Sequence, residues 1–154
     1  MANHGYMTLT GKTSGLISAG CSTQNSMGNK CQIEHADEIM VLSCTHNMTN
    51  TGHLNKATHG PIIITKNVDK SSPLLAQSLS SREEISGVIS FYRLSSLGTH
   101  ERFYSISIEG GIIADLTLDM PHAVLQNEAD PQEHLAIRYR EIPWTHQVAG
   151  TGGY

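Results

Sequence analysis

Arg102-Phe103-Tyr104-Ser105-Ile106-Ser107-Ile108-Glu109-Gly110-Gly111-Ile112-Ile113-Ala114-Asp115-Leu116-Thr117-Leu118-Asp119-Met120 is the stretch on which the fold turns. Up to Ile108 the apolar residues alternate, with Tyr104, Ile106 and Ile108 on one side and Ser105, Ser107 and Glu109 on the other. Beyond the two glycines, Ile112, Ala114, Leu116, Leu118 and Met120 share one phase and Asp115, Thr117 and Asp119 share the other. A period of two belongs to strands with one buried and one wet face. Gly110-Gly111 supplies the positive φ of a tight turn, so the stretch predicts two strands, Arg102 to Glu109 and Ile112 to Met120, joined as a β-hairpin.

Working outward, β-branched and aromatic residues on short alternating runs predict further strands at Tyr6 to Thr10, Glu38 to Cys44, Pro61 to Val68, Gly87 to Arg93 and His134 to His146. Seven strands imply an all-β core. In the last strand Leu135, Ile137 and Tyr139 keep one phase while Ile142 and Trp144 take the other, which predicts a bulge near Arg140 or Glu141. Pro143 lacks a ladder donor there, so this stretch is expected at an edge, at a bulge or where the strand leaves its first partner, the kind of strand that curls a sheet into a barrel. One helix is predicted from Pro73 to about Arg82, capped by Ser72, with Pro73 at the first turn and Leu74, Leu75 and Leu79 as a narrow apolar stripe. Gly11 to Ile33 is rich in Gly, Ser and Thr, and Thr45 to Gly60 is a long polar stretch, heavy in His, Asn and Thr, with no core pattern.

At 154 residues the chain suits a single domain over 1–154, with the 45–60 segment as a protruding loop within it. Hydrophobic residues are 38% and charged residues 16%, the composition of a folded globular chain rather than a disordered one. A net charge of −4 with no Lys/Arg cluster disfavours nucleic acid and anionic membrane as partners. The start, Met1-Ala2-Asn3-His4-Gly5-Tyr6, has no basic segment followed by an apolar run, so synthesis in the cytoplasm without a signal peptide is expected. Cys21, Cys31 and Cys44 are an odd set read as free structural thiols.

Several constellations invite chemistry and fall short of it. His46, His53 and His59 share the polar loop, but six or seven residues apart on a loop they are not arranged in advance to hold a metal, and no cofactor is implied. Gly11-Lys12-Thr13 ends like a phosphate-binding loop, yet that motif needs glycine where Tyr6 stands, so a tight turn is expected. Gly15 to Gly20 misses the nucleophile elbow of serine hydrolases. The acid pairs Glu83 with Glu84 and Glu128 with Asp130 are read as solvated charges rather than a glycosidase dyad. Asn47-Met48-Thr49 matches a glycosylation acceptor only by coincidence in a chain without an export signal. The chain is expected not to be an enzyme.

Gly15-Leu16-Ile17-Ser18-Ala19-Gly20-Cys21, Pro61-Ile62-Ile63-Ile64-Thr65-Lys66, Asp69-Lys70-Ser71-Ser72-Pro73-Leu74-Leu75 and Ile137-Arg138-Tyr139-Arg140-Glu141-Ile142-Pro143-Trp144-Thr145-His146 together resemble the haemolysin-coregulated protein family, the tube proteins of type VI secretion. The likeness runs from Gly5 to Tyr154. It implies a mainly β fold: a compact β-barrel of two sheets with one flanking α-helix and a long extended loop. It further implies hexameric rings that stack into a hollow conduit inside a contractile sheath, and export to the extracellular space or a target cell with a tip spike protein and effector proteins. Some members carry a toxin domain after the barrel; no such extension is expected here past Tyr154.

A homo-oligomer of this kind needs side-to-side contacts that close a ring and axial contacts that extend it. The Thr45 to Gly60 loop is assigned the axial role, and sheet edges with the Gly-rich tail the lateral one. The candidate interface residues are therefore His46, Asn47, Met48, Thr49, Asn50, His53, Leu54, His59, Trp144, His146 and Tyr154. The strand faces bearing Asp115, Thr117 and Asp119, or Ser105 and Ser107, either line a wet lumen or face outer solvent. The alternatives from other classes are a free-ring chaperone or adaptor for secreted effectors and, more distantly, a hydrolase.

Overall fold

In the computed structural model, which describes residues 4–28, 33–50, 52, 56–126 and 130–153, the stretch quoted first does not turn back at its glycines. It forms one 20-residue strand, His100–Asp119. Gly110 does adopt φ 61, the left-handed value. That freedom serves a bulge instead of a turn: the register slips where Ile85 faces Gly111 and Gly87 faces Ile108. Alternation on both sides of a glycine pair is the same for a hairpin and for a bent strand, and only the partners on either side decide between them.

The strands in chain order are β1 (His4–Gly11), β2 (Gly15–Leu16), β3 (Ile39–Thr45), β4 (Met48–Thr49), β5 (Thr58–His59), β6 (Ile62–Asn67), β7 (Ile85–Leu94), β8 (His100–Asp119), β9 (Gln132–Arg138), β10 (Trp144–His146) and β11 (Thr151–Gly153), with helices α1 (Gln24–Met27) and α2 (Ser72–Ser81). Pairing runs β8–β7–β1–β3–β6–β9 and returns to β8, an antiparallel barrel closed on itself. β10 and β11 extend the ladder from the first half of β8. Because β8 bends, its first half pairs with β7 and its second with β9. The two sheets expected are thus continuous through one strand, in keeping with a β-barrel that leaves few open edges.

The expected inward face of the second half needs a correction. Ile113, not Ile112 or Ala114, is buried, because a register slip between Ile113 and Asp115 flips the phase before Leu116 packs on the core. Leu118 and Met120 stand exposed. In the first half, Ile106 and Ile108 are core and Tyr104 packs against it, as the alternation requires. The bulge expected near Arg140 is present: the backbone N–H groups of Arg140 and Glu141 both donate to the Glu109 carbonyl, at 3.0 and 3.1 Å.

α2 begins at Ser72 with Pro73 in its first turn, and Leu75 is fully buried while Leu74 and Leu79 pack partly on the core. The Ser72 hydroxyl caps no helical N–H; it accepts from the Asp69 N–H at 3.0 Å and donates to Glu133 at 2.6 Å. α1, a single turn within the polar Gly11 to Ile33 stretch, carries no buried residue and no periodic stripe that would have announced it.

Candidate assembly surface

β3 leaves the barrel at Thr45, and the chain returns to it at Ile62. Between them β4 and β5 pair as a two-stranded antiparallel ribbon, Met48 opposite His59 and Thr49 opposite Thr58, and the Gly60 N–H donates to the Asn47 carbonyl at 2.9 Å. Asn47, Met48, Thr49, Asn50, Thr58 and His59 are all exposed. Two residue pairs are too few to hold a ribbon on their own. Its root is fixed elsewhere. The Tyr139 hydroxyl lies 2.6 Å from His46 Nε2 and 2.7 Å from His59 Nδ1, one phenol bridging both legs of the arm. The Trp144 ring stands 6.4 Å from that of His46, and the two imidazole centroids are 6.5 Å apart. Burial, reinforced by the proximity of His59, pushes His46 below its ordinary 6.5, and burial pushes Tyr139 up. The root is thus a hydrogen-bonded clasp of two imidazoles on one phenol.

Of the residues assigned to the interface, the structure brings His46, His59 and Trp144 together. Asn47 contributes its carbonyl, while Met48 and Thr49 form the ribbon and Asn50 continues it outward. His146 lies elsewhere: its ring faces Phe103 and Tyr104, and its Nδ1 accepts from the Ala149 N–H at 3.0 Å, shaping the turn into β11. His53, Leu54 and Tyr154 fall outside the described residues. Tyr139 was missed because it keeps the inward phase of Leu135 and Ile137. A strand-end tyrosine whose hydroxyl needs a partner, with a histidine-rich loop to supply one, was the available signal.

Two internal knots occupy polar groups that looked like chemistry. Lys66 follows Ile62 and Ile64 on the inward phase of β6 and is fully buried, and Glu133 is its cross-strand partner on β9. Lys66 Nζ reaches Glu133 at 2.7 Å, Asp69 at 3.1 Å and the Asn67 carbonyl at 3.0 Å, while Asp69 accepts from the Ser71 N–H and hydroxyl. This lock ties the start of α2 to the barrel.

The second knot is Glu83, expected to be solvated and in fact buried. Its carboxylate accepts from the Thr13 and Ser14 N–H groups, each at 2.5 Å, and from the hydroxyls of Ser14 and Ser78 at 2.8 and 2.7 Å. Burial alone would raise its pKa, but these bonds outweigh it and bring the group down to about 2. The amides after Gly11-Lys12, which a phosphate would need, are thus already filled by a carboxylate of this chain. Gly11 is required for that approach, since a Cβ there would meet Glu83 oxygens at 2.6 and 2.9 Å. Glu84 is half-exposed and pairs with Arg140 at 3.0 Å, and Glu128 lies outside the described residues.

Burial raises the thiols of Cys21 and Cys44 to about 11 each, which keeps them protonated and poorly nucleophilic; Cys31 lies outside the described residues. Among the described residues no three of His, Cys, Asp and Glu stand where they would hold a metal ion together. No described helix is long and apolar enough to cross a membrane.

The described residues thus form a closed barrel with a flanking helix, an external ribbon and two internal polar knots. The chain belongs to the type VI secretion system effector family Hcp, which it matches over residues 6–146. It is 39% identical to the major exported protein of Pseudomonas aeruginosa, over 99% of this chain and 94% of that protein. It is 37% identical to the uncharacterized protein YhhZ of Escherichia coli K12, over 98% of this chain but 37% of that longer protein. Among solved structures, an Hcp protein superposes with a TM-score of 0.91 at 30% identity, covering 99% of this chain and 96% of the other. The secreted protein Hcp3 of Pseudomonas aeruginosa superposes with a TM-score of 0.87 at 38% identity, with the same coverage. This is a type VI secretion protein of mainly β fold, in a family of structural tube proteins.

Proposed function

We propose that the chain is a single-domain subunit of the type VI inner tube, forming hexameric rings that stack into a hollow conduit. In this reading it is exported through the machine with effectors, and its partners are further copies of itself, the tip spike protein and the sheath. The observation that carries the axial contact is the 45–60 segment: an exposed ribbon, anchored at its root, standing off a barrel whose own edges are closed. A solvated ribbon is suited to meet a neighbouring ring end to end. The lateral contact falls to β11, an exposed strand at the end of the sheet, and to the loops beside it. Kinship to a protein described as the major exported protein supports export.

Sedimentation with negative-stain imaging tests the reading. The intact chain is expected to give rings and, at high concentration, stacks. Deleting Asn47 to His59 is expected to leave folded rings that no longer stack. Stacks that persist in the deletion discard the axial role of the arm, a strict monomer at high concentration discards the ring, and rings that never stack point to a free-ring effector adaptor.

A further inference from the structure

The clasp at the arm root holds two titratable rings on one hydroxyl, an arrangement that responds to protons. Tyr139 Oη carries one hydrogen. It donates that hydrogen to one imidazole nitrogen and accepts an N–H from the other, so both contacts, 2.6 Å to His46 Nε2 and 2.7 Å to His59 Nδ1, are satisfied when the rings are neutral. One added proton is tolerated, on the nitrogen of the donating ring that faces away. A second changes the balance. Both facing nitrogens then carry hydrogens, the phenol has no acceptor, and two cations sit with centroids 6.5 Å apart.

We propose that Tyr139 is the positioning residue of the arm, and that protonation of both His46 and His59 releases the ribbon from the barrel. This rests on the arm being the stacking element. Among the described residues the groups facing the clasp are few. His46 comes from the end of β3 and His59 from β5, Tyr139 follows β9, and Trp144 on β10 adds an uncharged ring. Arg140 and Glu141 line a hollow of about 370 Å³ together with His59 and Tyr139. Arg140 is engaged with Glu84 at 3.0 Å and Glu141 shares a hydrogen bond with Glu109. Burial, reinforced by the proximity of His59, lowers His46, so the folded arm favours its neutral form. A lowered folded pKa contributes stability above the ordinary value of 6.5 and loses it as the pH falls below that value. Acid therefore loosens the arm and neutrality fastens it.

Hydrogen exchange read at Gly60 and the β4–β5 amides tests the device, near pH 7.5 and about pH 5, with intrinsic exchange rates divided out. Arm protection in the intact chain is expected to fall roughly tenfold on acidification while β9 stays protected. Tyr139→Phe is expected to show the loosened arm at both pH values. The double variant His46→Gln with His59→Gln, which keeps hydrogen-bonding groups but cannot titrate, is expected to lose the pH response. Arm protection indifferent to pH in the intact chain overturns the proposal, as does an unchanged pH response in either variant. Stacks failing to form at any pH while arm protection still responds would sink the tube reading and leave the clasp standing.

Discussion

Two polar clusters in this molecule are built from similar parts and behave oppositely. The lock of Lys66, Asp69 and Glu133 sits inside the barrel with its cation fully buried and its carboxylates almost so, while the clasp of His46, His59 and Tyr139 sits at the surface and is held by uncharged groups. In the lock, charges are sealed away from water, and each needs the others because an unpaired buried charge is prohibitive. In the clasp, water is near enough to replace any lost bond. A sealed network fixes a fold, and an open one allows adjustment.

The largest expected effect comes from breaking the lock. Lys66→Met leaves Asp69 and Glu133 buried without a cation and should destabilise the barrel by about 3–5 kcal/mol, measured by urea unfolding at neutral pH. Neutralising both acids in the same chain, Asp69→Asn with Glu133→Gln, should recover much of that loss. If Lys66→Met costs under about 1 kcal/mol, the contrast between sealed and open clusters fails.

Glu83 lies between the two cases, an internal carboxylate bonded only to neutral donors. Glu83→Gln keeps the shape and loses the charge, and should cost about 1–2 kcal/mol at neutral pH. Its folded pKa is depressed to about 2 from the ordinary 4.5, so its stabilisation is complete above 4.5 and is lost as the pH falls towards 2. The gap in denaturation midpoint between variant and parent should therefore close over that interval. A constant gap would show that the charge is not what holds the turn.

At the clasp, Tyr139→Phe should cost only about 1 kcal/mol of global stability near pH 7.5 and less in acid, since the exposed His59 and half-buried His46 are within reach of water. Thermal melts at the two pH values measure the difference. The smallest effect is a gain. Arg82 ends α2 in the left-handed region, φ 55 and ψ 38, a conformation glycine adopts without strain. Arg82→Gly should raise stability by roughly 0.5–1 kcal/mol, seen as a small rise in melting temperature.

Much of the fold was legible in the residues. Alternation placed most of the strand segments though not all their ends, Pro73 and the leucines placed α2, and the phase change between Tyr139 and Ile142 placed the bulge, because side-chain period and proline geometry are local properties of a chain. The candidate surface was legible only in outline. The long polar segment named the arm, but Tyr139, which roots it, is remote in sequence from both histidines. The same remoteness hid Lys66 and Glu133, whose inward phases could be counted but whose pairing could not.

The sequence by itself settled a β-rich chain with one substantial helix and a polar arm, since each follows from residue type and short-range spacing. Only the tertiary structure decided that Gly110 bends a strand rather than ending it, that Glu83 fills the turn at Gly11, and that one phenol holds two histidines. Those outcomes depend on which distant strands pair. That choice is made by closing the barrel as a whole, a balance of long-range contacts that no local pattern contains.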